Sequence, residues 1–254
     1  MSEHVVEHKP RSSTRDVGEP SKRASTESRW IPNLSEQDEN MLLAAGISRD
    51  VIRERGYKTL RRTNTDNAPR NALRILGFSS SLYSDDARFP GLLMPLYGPR
   101  GQHAGSMYRP MSPRKDKRGR PRKYELPQGR PAVLDVHPRN RDRVADPTVP
   151  LWITEGVKKG DCLTSHGQCV VTLSGVFNWR NGHGTLGDWE DIPLRGRTVI
   201  IAFDADAKSN RDVARAMRRL GAWLRSKGAK VLFVVCPELD DFPKTGVDDF
   251  LAAG

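Results

Sequence analysis

Between residues 151 and 235 the chain alternates short β-rich apolar runs with helix-periodic sequence, and that alternation leaves few folds open. Val170–Leu173, Val199–Phe203 and Val231–Val235 are short, rich in Val and Ile, and lack the polar alternation of a half-exposed strand. Both faces of such strands are expected to be covered. LWITE at 151–155 is a fourth run of this kind. Within 211–227, Val213, Met217, Leu220 and Leu224 recur at helical spacing opposite Arg215, Arg218, Arg219 and Arg225. Gly228 then supplies a helix stop. Strand, helix, strand in this rhythm predicts an α/β fold with a parallel sheet, flanking helices and right-handed crossovers.

Acidic residues follow these runs. Glu155 ends the first, and Asp204 and Asp206 follow the third. Asp248 and Asp249 come after the fourth, beyond a loop. Ligand sites in such sheets lie beyond the carboxyl ends of the strands. Residues i and i+2 of an extended segment point the same way, so Asp204 and Asp206 would stand side by side. Two adjacent carboxylates repel unless a cation relieves them. Mg²⁺, or Mn²⁺ in its place, takes hard oxygen ligands and keeps waters that phosphate oxygens can replace. A lone Asp-x-Asp is equally a helix cap or a turn. Its company on one predicted sheet edge favours a shared cation site.

These residues carry a family resemblance. Glu155-Gly156 after a strand, Gly175 after the next, Asp-Ala-Asp at 204–206 and the late acidic pair resemble the Toprim domain. That Rossmann-like fold is shared by bacterial-type primases, topoisomerases and some nucleases. The wording TEGVKKGDCL, LSGVFNW, FDAD and GVDDFLAAG is most similar to the Toprim-like domain of unknown function 3854. Members of that family resemble primase portions of plasmid, phage and integrative-element replication proteins. The resemblance implies that Glu155 is a general acid/base or metal ligand, and that Asp204 and Asp206 hold Mg²⁺. The remaining acid is Asp248 or Asp249, and the offset favours Asp249. It further implies Mg²⁺-dependent phosphoryl transfer on nucleic acid, above all primase-like nucleotidyl transfer. A Toprim nuclease and a non-catalytic DNA-binding replication-control module are the alternatives. DNA, with a single-stranded template, nucleoside triphosphates and a helicase or other replication protein are the implied partners.

Residues 1–29 are polar and charged and are expected to be a disordered tail. Residues 30–150 read as a small α+β subdomain. Ser35 and Ser48 are candidate N-caps for two helices stopped by Gly46 and Gly56, and a third helix is predicted at Ala72–Leu76. Leu92–Tyr97 and Ala104–Tyr108 flank Gly98-Pro99-Arg100-Gly101 and predict a hairpin. Primases have a similar strand pair and Lys-Tyr segment before their Toprim core, which implies roles for Arg109, Lys123 and Tyr124 in the nucleic-acid and nucleotide groove.

Charge supports the division at about residue 150. Residues 109–143 hold 12 Lys or Arg against 4 Asp or Glu, so most of the net +11 lies there. Residues 151–254 hold 14 against 13. A basic arm beside an acidic site suits a polyphosphate substrate. Lys158 and Lys159 are placed to meet phosphate from the start of a helix, and Tyr108, Tyr124 and Trp152 are candidate stacking faces. Cys162, Cys169 and Cys236 form no CxxC pair and read as buried thiols of a reducing cytoplasm, without a zinc site. No run approaches the ~20 apolar residues of a membrane span, and no signal peptide is legible.

Overall fold

The structure is a computed structural model that describes residues 33–62, 66–116, 119–182, 184–203, 211–235 and 251. The expected tail at 1–29, Cys236, and the acids Asp204, Asp206, Asp248 and Asp249 lie outside the described residues.

The first half opens with helices α1 (Glu36–Ala44) and α2 (Arg49–Arg55), then β1 (Lys58–Leu60), α3 (Ala68–Ile75) and the single turn α4 (Ser80–Tyr83). Ser35 Oγ accepts from the Asp38 N–H and Ser48 Oγ from the Val51 N–H, so both expected caps are in place. Gly56 is left-handed (φ 76°) and ends α2. Helix α3 begins at Ala68, earlier than the apolar pattern indicated, because Pro69 is preset for a first turn. Strands β2 (Gly91–Tyr97) and β3 (His103–Pro110) form the hairpin, with β1 antiparallel to β2. The basic arm then folds back as a short pair, β4 (Arg114–Lys115) and β5 (Pro121–Arg122), and the turn α5 (Arg141–Val144) precedes the second half.

The second half is β6 (Leu151–Glu155), α6 (Val157–Ser165), β7 (Cys169–Leu173), the small pair β8 (Arg180–Asn181) and β9 (Gly184–Thr185), β10 (Thr198–Phe203), α7 (Arg211–Ser226) and β11 (Lys230–Val235). The four long strands form one sheet in the order β11-β10-β6-β7, and every neighbouring pair is parallel. The crossovers β6–α6–β7 and β10–α7–β11 run outward in opposite directions from the centre. Right-handed crossovers therefore place α6 and α7 on opposite faces. Side-chain alternation agrees with this. Val170 packs with Leu163 of α6, whereas Ile153, Val171 and Ile201 pack with Met217, Leu220 and Leu224 of α7. The direction in which strands succeed one another reverses between β6 and β10, the switch point at which α/β sheets open a crevice.

One expectation needs correcting. Strand β11 is an edge among the described residues, and Leu232 and Phe233 are 55% and 40% exposed. An unalternating apolar run signals a strand but not how many neighbours it will have.

Helix α6 lies very close to β7 because Gly160 has no side chain. A Cβ there would fall 2.0 Å from Thr172 Oγ1 and 3.3 Å from Thr172 Cβ. Gly160→Ala is expected to destabilise the protein by about 1–2 kcal/mol in urea titration, overpacking outweighing the gain in helix propensity. The double change with Thr172→Ala should recover most of the loss. Equal stability of Gly160→Ala and wild type would show that the packing yields.

Candidate functional site

Glu155 is the last residue of β6 and lies opposite Leu173 in β7. Gly156 follows with φ 88° and donates its N–H to the Leu173 carbonyl at 2.9 Å. This conformation, costly for any residue with a Cβ, turns the chain from strand to helix in one step. Helix α6 therefore starts beside the Glu155 carboxylate, with Lys158 and Lys159 in its first turn and no acid there. The positive end of the helix dipole and two ammonium groups favour an anion at this place.

A cavity of about 300 Å³ opens at this junction, lined by Glu155, Lys158, Lys159, Ser174, Met107, Tyr124 and Leu126. Tyr124 and Leu126 come from the arm and form a partly exposed wall. A second cavity of about 280 Å³ continues from it, sharing Met107, Leu126, Val157 and Ser174 and running between β3 and the end of β7. The structure thus brings Glu155, Lys158, Lys159 and Tyr124 together at the carboxyl ends of β6 and β7. Arg109 and Lys123 line a separate depression of about 450 Å³ with Asp38, Met41 and Met111. There the Arg109 guanidinium meets Met41 Sδ. Lys123 and Tyr124 are consecutive extended residues, so their side chains leave on opposite sides.

Asp204 and Asp206 follow Phe203, the last residue of β10, and lie outside the described residues, as do Asp248 and Asp249. The register Ile201 to Ile153 between β10 and β6 sets Phe203 level with Glu155. Among the described residues no group of three or more His, Cys, Asp or Glu side chains could hold a metal ion. Glu155 supplies the described carboxylate of this edge, a hard oxygen donor suited to Mg²⁺.

Two sequence expectations change in detail. Tyr108 is no stacking face. It is fully buried, packs on Phe78 and Phe89, and donates its hydroxyl to the Arg88 carbonyl at 2.9 Å. The basic arm also neutralises part of itself. Arg114 grips Glu125 with two bonds of 2.9 and 2.8 Å, Arg122 approaches Glu125 at 3.3 Å, and Arg120 pairs with Asp116.

The sequence reading missed a buried polar cluster behind the cavity. Arg55 at the end of α2 reaches Asp161 of α6 through Nε and Nη2 (2.9 and 2.5 Å) and Asp135 through Nη1 (2.7 Å). Tyr57 donates to Asp161 Oδ2 at 2.7 Å, and the Tyr97 N–H donates to Asp135 Oδ1 at 3.0 Å. All three charged side chains are almost wholly buried. Burial alone would lower the Arg55 pKa, but Asp135 and Asp161 raise it well above its usual value. Burial raises the Asp135 carboxyl despite Arg55, and depresses His137, whose Nε2 faces the Val51 carbonyl. The available signal was an aspartate beside Gly160 and Cys162 on the buried face of α6.

Comparison with known proteins fits this geometry. Residues 142–254 match the family model described as domain of unknown function (DUF3854). An uncharacterized protein of Picosynechococcus sp. is 30% identical over 122 residues, which cover 42% of this chain and 12% of that protein. Among solved structures, the zinc-binding and RNA polymerase domains of the Aquifex aeolicus primase align with a TM-score of 0.59 at 18% identity, over 86% of this chain and 53% of theirs. A DNA primase domain from Pseudomonas aeruginosa gives 0.54 at 18% identity, over 84% and 66%. A DnaG primase catalytic domain bound to ssDNA gives 0.50 at 17%, over 85% and 68%. The fold is therefore that of a Toprim-type primase core. The chain spans about half the length of the Aquifex zinc-binding and RNA polymerase domains and about an eighth of the curated relative. Among the described residues no helix is long and apolar enough to cross a membrane.

Proposed function

We propose that the chain carries out metal-dependent phosphoryl transfer on nucleic acid, with primase-like nucleotidyl transfer in DNA replication of a mobile element as its reaction. One observation carries the reading: Glu155 shares its cavity with Lys158, Lys159 and Tyr124, at the carboxyl ends of β6 and β7 in a primase-type sheet. The reading divides the chain into a nucleic-acid subdomain at 30–150 and a Toprim-like domain at 151–254.

Glu155 would hold Mg²⁺ or Mn²⁺ together with Asp204, Asp206 and Asp248 or Asp249. When bound, the ion neutralises charge on the reacting phosphate and lowers the pKa of the attacking group. Lys158, Lys159 and the first turn of α6 bind the phosphates of a nucleoside triphosphate as point charges and N–H donors. Tyr124 offers a face to a base of the single-stranded template. Arg109 and Lys123, in the neighbouring depression, bind the template backbone. Glu155, facing the same cavity, orients the attacking hydroxyl or takes its proton.

The test is incorporation of labelled nucleoside triphosphates on single-stranded DNA with Mg²⁺ or Mn²⁺, with a replicative helicase added in a parallel arm. Glu155→Gln is expected to slow incorporation by about 10²–10⁴-fold, the usual worth of a positioned acid or base. Shortening of the DNA without triphosphates would replace synthesis by cleavage. DNA binding that persists in EDTA, with neither reaction, would reduce the chain to a binding module.

A further inference from the structure

The outer face of α7 plays no part in the function proposed above. Arg211, Arg215, Arg218, Arg219 and Arg225 are all exposed, and Asp212 is the helix's one acid. Among the described residues outside α7, Arg62, Arg70, Arg88, Arg100 and Arg139 each meet a carboxylate, as do Arg114, Arg120 and Arg122 of the arm, whereas Arg61, Arg74, Arg130, Arg180 and Arg195 do not and are scattered over other parts of the chain. On α7, Arg215 pairs with Asp212 at 2.8 Å, and Arg225 lies over the Phe233 ring at 5.3 Å. Arg218 and Arg219 have no carboxylate partner among the described residues. Arg211, Arg215 and Arg219 stand four apart, so like charges face each other along the helix. Lys227 and Lys230, both exposed, continue the positive surface past its end.

We propose that this arginine face is a second nucleic-acid surface, which binds the phosphate backbone of a duplex on the side of the sheet opposite α6. Three observations fix the partner. The cations are arginines, whose planar fork suits phosphate, on a rigid helix. Arg211 to Arg225 spans ~21 Å at ~1.5 Å per residue. A duplex places ~12 phosphates along that length, at one per ~1.7 Å. The remaining exposed side chains of the helix are Asp212, Ala222 and Ser226, and Trp223 is packed against Trp179 and Trp189. The helix itself therefore presents no free aromatic face for unpaired bases, the feature that marks single-strand sites, and the neighbouring Phe233 ring, 40% exposed, is already covered by Arg225 and lies against Gly221. The arginine face binds backbone alone, independent of sequence. Template and duplex then occupy opposite faces of one sheet, the duplex lying behind the Glu155 cavity.

The experiment is fluorescence anisotropy of a labelled duplex of about 20 base pairs, and of the same-length single strand, across a salt series. In the variant R215Q/R218Q/R219Q the duplex salt slope should fall by about 2–3, near 0.9 for each phosphate no longer neutralised, with at least about tenfold weaker binding at low salt. Single-strand affinity should stay within about twofold of wild type, because its site lies on the other face. The all-lysine triple variant should keep the slope. Gln is a good helix former, so an unchanged melting temperature is expected for both variants. A wild-type slope in the Gln variant, equal losses for duplex and single strand, or no duplex binding by the wild-type protein would each overturn the proposal. Incorporation dependent on Glu155 would survive all three results.

Discussion

Arg55→Met is expected to destabilise the protein by about 3–5 kcal/mol at neutral pH, the usual cost of leaving buried charge without its partner. The guanidinium stands between Asp135 and Asp161, which are 80 and 106 residues away in sequence. Removing it leaves two carboxylates facing each other in a dry interior. Both would then bind protons more tightly when folded than when unfolded. The variant should therefore regain stability as the pH falls, a slope that melting temperatures between about pH 4 and pH 8 would read directly. A pH-independent loss would mean that water fills the site.

The two aspartates are not equivalent, and their amide variants separate them. Asp161 uses both oxygens, taking Arg55 Nε and Tyr57 at Oδ2 and Arg55 Nη2 at Oδ1. Asp161→Asn should cost about 3–5 kcal/mol. Asp135 uses Oδ1 for Arg55 and the Tyr97 N–H, while Oδ2 is buried with no hydrogen-bond partner. An amide oxygen serves Oδ1 equally well, and two carboxylates against one guanidinium already leave an excess negative charge. Asp135→Asn should lie within about 1 kcal/mol of wild type at neutral pH. The sign follows from its raised pKa. The proton-bound form is favoured by the fold, so this contribution is present below the unfolded value near 3.8 and is lost as pH rises through the folded value. Asp135→Asn removes that slope. His137 acts in the other sense. Burial depresses its pKa below 6.5, so stability falls as the pH drops from there through its folded value.

A loss of about 2–4 kcal/mol is expected for Arg197→Met, since each orphaned buried acceptor costs about 1–3 kcal/mol and removing a buried cation returns part of it. Arg197 is fully buried. It donates to the carbonyls of Arg143, Val144 and Val149 at 3.1, 2.6 and 2.9 Å, and more weakly to Pro193. The first two carbonyls belong to the last turn of α5; that of Arg143 also accepts the Asp146 N–H at 3.3 Å, so that of Val144 depends more on the guanidinium. Burial lowers the Arg197 pKa, with Cys169 and Asp146 pulling the other way. Arg197→Lys should fall between Met and wild type, because one ammonium cannot serve carbonyls that converge from three directions. Urea unfolding of the three proteins would measure the order. A Met variant as stable as wild type would show that the carbonyls find other donors.

The sequence by itself determined the local devices of this protein. Ser35 and Ser48 cap their helices, Gly56 and Gly228 stop theirs, and the Val-rich runs form parallel strands, because each depends on neighbours a few residues away. It also placed Glu155 at a strand end and Lys158 and Lys159 in the next helical turn, since the Glu-Gly step between strand and helix is written in consecutive residues. Tertiary structure alone decided three things. It set Tyr124 against Glu155 while sending Lys123 and Arg109 to another depression. It buried Tyr108 and paired Arg114, Arg120 and Arg122 of the arm with Glu125 and Asp116. It clasped Arg55 between Asp135 and Asp161. The physical reason is range. Caps, turns and periodicity are short-range preferences legible along the chain, whereas burial and charge pairing depend on which distant segments the packed core brings within a few ångströms.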